Sequence, residues 1–444
     1  MKCNISLRKF PYPFKAALTL CNDLDGYSFE EFIEIHRFLN TNEETSLGQG
    51  LGLEIGDSFW MYSVNSDVSD AFTYFNGLSN EQTPYAEAIR RLVKAGYLDC
   101  LHTYGNFNQY GGFHRDYAER AIVELESKEM RVQTWTDHGD MHNFQNINYL
   151  GGMKERSIGD GVATKIVEYH TDLSKKFGIR FYWPMVVTSV LGQNRKIGWW
   201  ELISDSSNRK WLIPNYLLYF VFNYVPQRFL ARESFLSKKR KQLEILFKNP
   251  LIFVKTFTSG DKVYCFQRYG DWFNDDAASL EATLAPDKLK KLIKISGSSI
   301  VYVHMGRKSN GCTDIIPDGS KRVLRDLADR YYKGDIYVTT TTRLLTSHLV
   351  NKNLVWRVTC KDDIFVIDIL YVKDEVDGNF VPTLEQLQGI TFYTNHPEKT
   401  IIRLDGNKIA KIQINQPDEK GKTSISIPRT YLEFPDIGGK SCDY

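Results

Sequence analysis

The chain has 444 residues, of which 42% are hydrophobic, 25% charged and 13% aromatic, with a formal net charge of +2. That length predicts two domains with ample material for packed cores, and the composition excludes a disordered, fibrous or disulfide-scaffold protein. A charge so near neutral gives no reason to expect nucleic acid as a partner.

The N-terminus, Met1-Lys2-Cys3-Asn4-Ile5-Ser6-Leu7-Arg8, lacks the apolar core of a signal peptide, and no apolar run is long enough to span a bilayer. The seven cysteines are scattered, with no pair at CxxC spacing, which predicts reduced thiols and a cytoplasmic protein.

From Ala16 to about Leu345, short apolar runs alternate with helical patterns. Strands are expected at Ala17–Leu20, Arg131–Thr136, Ile179–Tyr182, Ser299–His304 and Asp335–Thr339. Helices are expected at Phe29–Leu39, Tyr85–Lys94, Asp116–Lys128, Val162–Phe177 and Lys321–Arg330. Such alternation predicts an α/β protein with a parallel sheet, and over this length a β/α barrel. Chemistry in such barrels gathers at the carboxyl ends of the strands. The polar residues there are Asp23 and Asp25, His102, Asp137-His138 and His304.

The stretch from Leu191 to Gly260 interrupts the pattern. It carries 12 Lys and Arg against 4 Asp and Glu, together with Trp199-Trp200, Trp211 and the run Tyr216-Leu217-Leu218-Tyr219-Phe220-Val221-Phe222. A basic, aromatic insertion suits an anionic membrane surface, peripherally and at the inner face. The plainer reading is a helical excursion that packs on the barrel and shows a solvated basic face. After about Val350 the pattern changes to short strands at Ile364–Val372, Thr391–Thr394, Thr400–Leu404, Lys408–Ile414 and Thr423–Ile427, with a hairpin turn at Asp405-Gly406-Asn407. Residues 1–349 therefore read as the barrel unit, and 350–444 as a small antiparallel β domain resembling a sandwich.

The richest segment is Ala17-Leu18-Thr19-Leu20-Cys21-Asn22-Asp23-Leu24-Asp25-Gly26. Alternation along a strand lets Asp23 and Asp25 face one side. Two like charges so close call for a cation, a proton or a substrate. The plain alternative is a turn, with Ser28 and Glu30-Glu31 opening a helix. Leu101-His102-Thr103-Tyr104-Gly105-Asn106 adds a strand-end imidazole, and carboxylate with imidazole suits Zn²⁺ or a similar divalent ion.

On these residues the chain resembles the polysaccharide deacetylases, the NodB-like carbohydrate esterase superfamily, whose fold is a distorted (β/α)₇ barrel. Asn22-Asp23-Leu24-Asp25-Gly26 resembles the family's first motif, which implies Asp23 as catalytic base and Asp25 as metal ligand. His102-Thr103 resembles the second motif, which implies His102 as a metal ligand, with Asn106 standing where a second histidine is expected and implied as a ligand through its amide oxygen, a weaker donor than imidazole. Ile300-Val301-Tyr302-Val303-His304 resembles the late motif, implying His304 as general acid supported by Asp271 of Asp271-Trp272. The family's Arg-x-Pro-aromatic motif is missing. In its region stands Trp135-Thr136-Asp137-His138-Gly139-Asp140-Met141-His142, where His138 is an alternative third ligand, a substrate contact or part of an ordered turn. Tyr104 and Trp135 are expected to stack on a sugar ring, as are Trp60, Phe107 and Trp183.

The resemblance covers roughly Lys15–Leu345. It implies a Zn²⁺-dependent enzyme that removes an acetyl group from an N-acetylated sugar of a glycan or glycan precursor. Asn106 and the missing motif favour an alternative, a non-catalytic relative that binds a glycan or a biosynthetic partner. A glycoside hydrolase fits less well, because Asp23 and Asp25 are too near in sequence to flank a glycosidic bond at the roughly 5–9 Å separations that chemistry uses.

Overall fold

A computed structural model describes residues 5–64, 72–107, 112–138, 144–147, 168–194, 245, 248–257, 260–308 and 314–437. Of the basic aromatic stretch at 191–260, residues 195–244, 246–247 and 258–259 lie outside the described residues, and so does the membrane contact expected of it. The end of the stretch does not interrupt the main sheet, because Ile252–Thr256 is one of that sheet's strands. No helix among the described residues is long and apolar enough to cross a membrane.

The architecture is mixed α/β. Among the described residues its main sheet is parallel except at one edge and contains eleven strands: β1 (Ala16–Asn22), β2 (Asp57–Phe59), β3 (Leu98–His102), β4 (Thr134–Thr136), β5 (Phe181–Trp183), β6 (Val187–Thr188), β7 (Ile252–Thr256), β8 (Lys262–Phe266), β9 (Arg268–Tyr269), β10 (Ser298–Val303) and β11 (Ile336–Val338). Its order is β6-β9-β10-β1-β2-β3-β4-β5-β8-β7, with β11 also on β1. Only β7 runs antiparallel, against β8. Every residue of β1 and of β10 is buried, as expected of parallel strands covered on both faces.

The helices lie in the connections. Phe29–Asn40 begins where Ser28 and Glu31 close a reciprocal capping box, each side chain accepting from the other's amide at 3.2 Å. That turn lies just beyond Asp25, so Asp-Gly-x-Ser serves as strand end and helix start together. Ala86–Ala95, Arg115–Ser127 and Asp318–Tyr332 are helical near or at the expected positions; Thr341–Asn353 is a helix the sequence reading did not expect; and of the helix expected at Val162–Phe177 the described residues are helical only from Thr171, with His170 as the N-cap.

Registers align the carboxyl ends of the strands. His102 pairs with Thr136, and Thr136 with Trp183. Asn22 pairs with Val303 on one side and Asp57 on the other. Residues that follow these strand ends therefore converge on one face.

The C-terminal part departs from an all-antiparallel unit. Leu354–Lys361, Ile364–Val372, Thr400–Leu404 and Asn407–Lys408 form one four-stranded sheet, in which Ile364–Val372 and Thr400–Leu404 are parallel. A second contains Thr391–Tyr393, Ser424–Ser426 and Gln413–Asn415, and its first strand is Ser6–Leu7 from the far end of the chain. Ile367, Ile402, Phe392 and Ile425, drawn from both sheets, share one buried cluster. The Asp405-Gly406 turn takes positive φ at both residues and joins Leu404 to Asn407, as a two-residue hairpin requires. Beyond the sheets, the chain returns to the main unit: Leu432 N donates to Glu54 Oε1 at 2.9 Å, and the Phe434 ring lies 5.2 Å from that of Tyr97.

Candidate metal centre

The end of β1 sets the centre. Asn22 is a fixed point: its Oδ1 accepts from Met305 N at 2.8 Å, and its Nδ2 donates to Tyr27 OH at 2.8 Å and to the buried Asp57. His36 holds that Asp57 through Nε2 at 3.2 Å. The chain then turns through Gly26 at φ +83°, and Gly306 packs so closely that an added Cβ would lie 2.8 Å from Asp25 O. Neither glycine can become a larger residue without moving the segment that carries the two aspartates.

Asp23 is wholly buried and faces Arg268 at the start of β9. Nη1 donates to Oδ2 at 2.6 Å and Nη2 to Oδ1 at 3.1 Å. The guanidinium lies 3.8 Å from the centre of the Trp183 ring, which covers its other face. Burial alone would raise the Asp23 pKa, but Arg268, His102 and His304 outweigh it and hold the carboxyl below its ordinary value. Burial opposes the Arg268 charge too, and Asp23 overrides it.

Asp25 is placed differently. His102 Nε2 lies 3.3 Å from Oδ1, and His138 Nδ1 lies 3.7 Å from Oδ2 and 2.9 Å from His102 Nε2. His102 Nδ1 contacts Thr136 Oγ1 at 2.7 Å, and Trp60 stacks parallel to the imidazole at 5.6 Å. With Nδ1–H assigned to Thr136, Nε2 turns its lone pair towards Asp25 and His138. Burial opposes the Asp25 charge, yet His138, His102 and His304 bring its pKa well below the ordinary carboxylate value. Burial lowers His138 to about 4, more than Asp25 raises it, so that ring is neutral at pH 7. For His102, burial is outweighed by Asp23 and Asp25, and its pKa is raised.

One carboxylate oxygen and two imidazole nitrogens thus lie within 4.8 Å of one another, an arrangement that could hold a metal ion. The donor set fits a divalent cation with an open position. Asp25 Oδ1 supports this independently: it is buried and has no hydrogen-bond partner. A buried carboxylate oxygen left so is costly unless a cation completes it.

His304 closes the group. Its Nε2 lies 3.7 Å from Asp23 Oδ2 and 3.7 Å from Asp25 Oδ2, and its Nδ1 lies 2.9 Å from Asp275 Oδ2. Arg307 bridges Asp25 Oδ2 at 2.8 Å and Asp275 Oδ2 at 3.2 Å.

Asp23, Asp25, His102, His138 and His304 come together from the ends of β1, β3, β4 and β10. Other expected positions do not join them. Asp271 accepts from Phe273 N and Asn274 Nδ2 in its own exposed loop, and Asp275 is the carboxylate beside His304. Asn106 lies on a short strand that pairs with Tyr62–Ser63, its carbonyl accepting from Val64 N, and the third position beside Asp25 and His102 belongs to His138. Tyr104 and Trp135 are buried packing residues: Tyr104 OH contacts Ser174 Oγ at 2.9 Å, and Trp135 Nε1 donates to Asp137 Oδ1 at 2.9 Å. Trp60, Phe107 and Trp183 are equally buried, so none of the five offers a face to a sugar. Among the described residues, the exposed aromatics near the centre are Trp272 and Phe273, beside Asp275.

Arg268 and Asp275 were missed by motif matching. Arg268 had a signal: an arginine amid Val263-Tyr264-Cys265-Phe266 and Tyr269 is a charge in a buried strand, which demands a partner. Nothing in the run Asp271-Trp272-Phe273-Asn274-Asp275-Asp276 singles out Asp275. Comparison with known protein families, curated proteins and solved structures finds no match.

Proposed function

We propose that this protein is a metal-dependent deacetylase acting on an N-acetylated sugar of a glycan or glycan precursor, with Zn²⁺ as the metal. The observation that carries the proposal is the convergence of Asp23, Asp25, His102, His138 and His304 at aligned strand ends, with one buried Asp25 oxygen lacking a hydrogen bond. Asp25, His102 and His138 would hold the metal, which when bound supplies a Lewis acid for the acetamide carbonyl and favours a nucleophilic water near neutral pH. Asp23 accepts the proton of the attacking water, its carboxylate kept ionised and aimed by the Arg268 fork. His304, whose Nδ1 lies 2.9 Å from Asp275 Oδ2, presents Nε2 to the departing amine and donates the proton there. Trp60, stacked on His102, and the packed ring of Trp183 keep bulk water from that side of the centre.

The distorted seven-stranded barrel belongs to the same proposal. Its support is the course of the pairings. β5 and β6 read as halves of one kinked strand, β8 and β9 as halves of the next, and the parallel pairs β5–β8, β6–β9, β9–β10 and β10–β1 lead back to the first strand. Likewise, the apolar cluster shared by the two C-terminal sheets supports a sandwich-like domain.

The test is acetate release from a panel of N- and O-acetylated sugars, with and without added Zn²⁺. Wild type is expected to release acetate only with metal, and Asp23→Asn to lose release while still binding metal. Equal release by the two proteins removes Asp23 from the mechanism. A second reading, a non-catalytic glycan- or partner-binding relative, is favoured by one observation: both aspartates already meet an arginine. Metal analysis of purified protein separates the two readings, since stoichiometric metal supports the enzyme.

A further inference from the structure

Arg307 differs from Arg268 in the way it meets its carboxylates. Arg268 is fully buried and gives both Nη atoms to Asp23. Arg307 divides its fork between Asp25 and Asp275, and its side chain is 45% exposed. Its main chain is held on both sides. Gly306 is wedged against Asp25 and Tyr27, and Lys308 Nζ meets Glu31 Oε1 at 2.5 Å. Freedom at this position therefore belongs to the side chain, which has solvent on one side and the Asp25–His102–His138 group on the other.

We propose that Arg307 is a built-in competitor of the divalent cation: its guanidinium holds Asp25 in the metal-free protein and gives up that carboxylate when the cation binds. The inference rests on reading Asp25, His102 and His138 as a metal centre. Asp25 has a single negative charge to offer. A guanidinium at 2.8 Å from Oδ2 neutralises it, and a divalent ion on the same carboxylate would face that guanidinium across a few ångströms. At a site this buried, ionic screening does little to soften the repulsion. Release is cheap for Arg307, because the half-exposed head regains water. Asp275 provides a second hold, so Nη2 can leave Asp25 while Nη1 keeps its carboxylate at 3.2 Å. The same swing does not exist for Arg268, which is sealed between Asp23 and the Trp183 ring.

Competition of this kind lowers the apparent metal affinity by the fraction of molecules in which Asp25 is free. The test measures Zn²⁺ affinity of the full chain by competition with a chromophoric chelator. It compares wild type, Arg307→Gln and Arg307→Lys, with His102→Ala as the blank. Arg307→Gln is expected to bind Zn²⁺ roughly tenfold tighter than wild type or more. Arg307→Lys should fall between the two, since an ammonium cannot span both carboxylates. Metal-free Arg307→Gln should also melt below metal-free wild type, while the Zn²⁺-saturated forms melt together. Equal or weaker Zn²⁺ binding by Arg307→Gln, with His102→Ala still blank, overturns the competition and leaves the metal centre standing. If wild type and Arg307→Gln bind Zn²⁺ no better than His102→Ala, the metal centre itself fails and the competitor with it.

Discussion

Asp23 faces a sealed arginine that meets both of its oxygens, whereas Asp25, two residues on, keeps one buried oxygen without a hydrogen bond and offers the other to a half-exposed arginine. The two sides of the centre share a strand, a residue type and a depth. They differ in what completes the charge. On the Asp23 side the partner is built in, and the trio of carboxylate, guanidinium and Trp183 ring is as closed as any core contact. On the Asp25 side two imidazoles lie 2.9 Å apart beside the carboxylate, and the charge that meets it belongs to a half-exposed side chain. Burial of a carboxylate thus says little about its role until the partner has been identified.

The closed side depends most on Arg268. Arg268→Ala leaves Asp23 buried without compensation and is expected to cost about 3–5 kcal/mol in urea unfolding. Arg268→Lys should recover only part, because a point charge cannot match the fork. A loss below about 1 kcal/mol would mean that the Asp23 side is no more closed than the other.

Acid sharpens it next. His170 is fully buried, with Nε2 2.6 Å from Gln145 O, and burial lowers its pKa to about 4 against an ordinary value of 6.5. Its folded pKa is depressed, so the unfolded chain takes up the proton first as pH falls. The stability that neutral His170 contributes is therefore present in full above about 6.5 and lost progressively down to about 4, with a ceiling of about 3 kcal/mol. Asp23, whose folded pKa is lowered, adds its own loss only at more acid pH, as the carboxylates protonate. Urea midpoints at pH 7, 5.5 and 4.5 should fall in that order, and His170→Gln should flatten the trend. Buried Asp99, raised to about 6, works in the opposite sense over the same range, so it is a slope unchanged by His170→Gln that removes His170 from this role.

Asp25→Asn should do the opposite of Arg268→Ala. It is expected to abolish metal binding yet change stability by about 1 kcal/mol or less, because it removes a buried charge and frees Arg307 to water. A large destabilisation would make Asp25 a structural partner like Asp23. The smallest effect belongs to Asp271: its exposed side chain caps only its own loop, and Asp271→Asn should shift stability by no more than about 0.5 kcal/mol and leave catalysis unchanged. Asp275→Asn, by contrast, should move the pH profile of acetate release by loosening His304.

What could be read in advance follows from periodicity and from strand ends. β1 and β10 were legible because continuous apolar runs stop abruptly at polar residues, and Asp23, Asp25, His102 and His304 were legible for the same reason. The spacing of Asn106 from His102 assumes a regular turn. Instead Thr103 takes φ +52°, a costly conformation for a β-branched residue, and the chain runs off to pair with Tyr62–Ser63. The aromatics misled because ring content says nothing about side: Tyr104 and Trp135 pack inward against His170, at 5.3 and 4.8 Å between ring centres. Arg268 and Asp275 lie about 245 and 30 residues from their partners, distances at which local pattern carries no information.

Ser6–Leu7 carries a consequence for the order in which the molecule is assembled. Its pairing partner Phe392–Tyr393 follows nearly four hundred residues later, and the Arg8 amide donates to Thr391 O at 2.8 Å. Pairing ties off a loop that encloses the entire main sheet, so hydrogen-exchange protection at the Arg8 amide should arise together with that of the Thr391–Tyr393 strand. A chain truncated before Ile390 would keep every strand of the main sheet and still leave its own beginning unanchored.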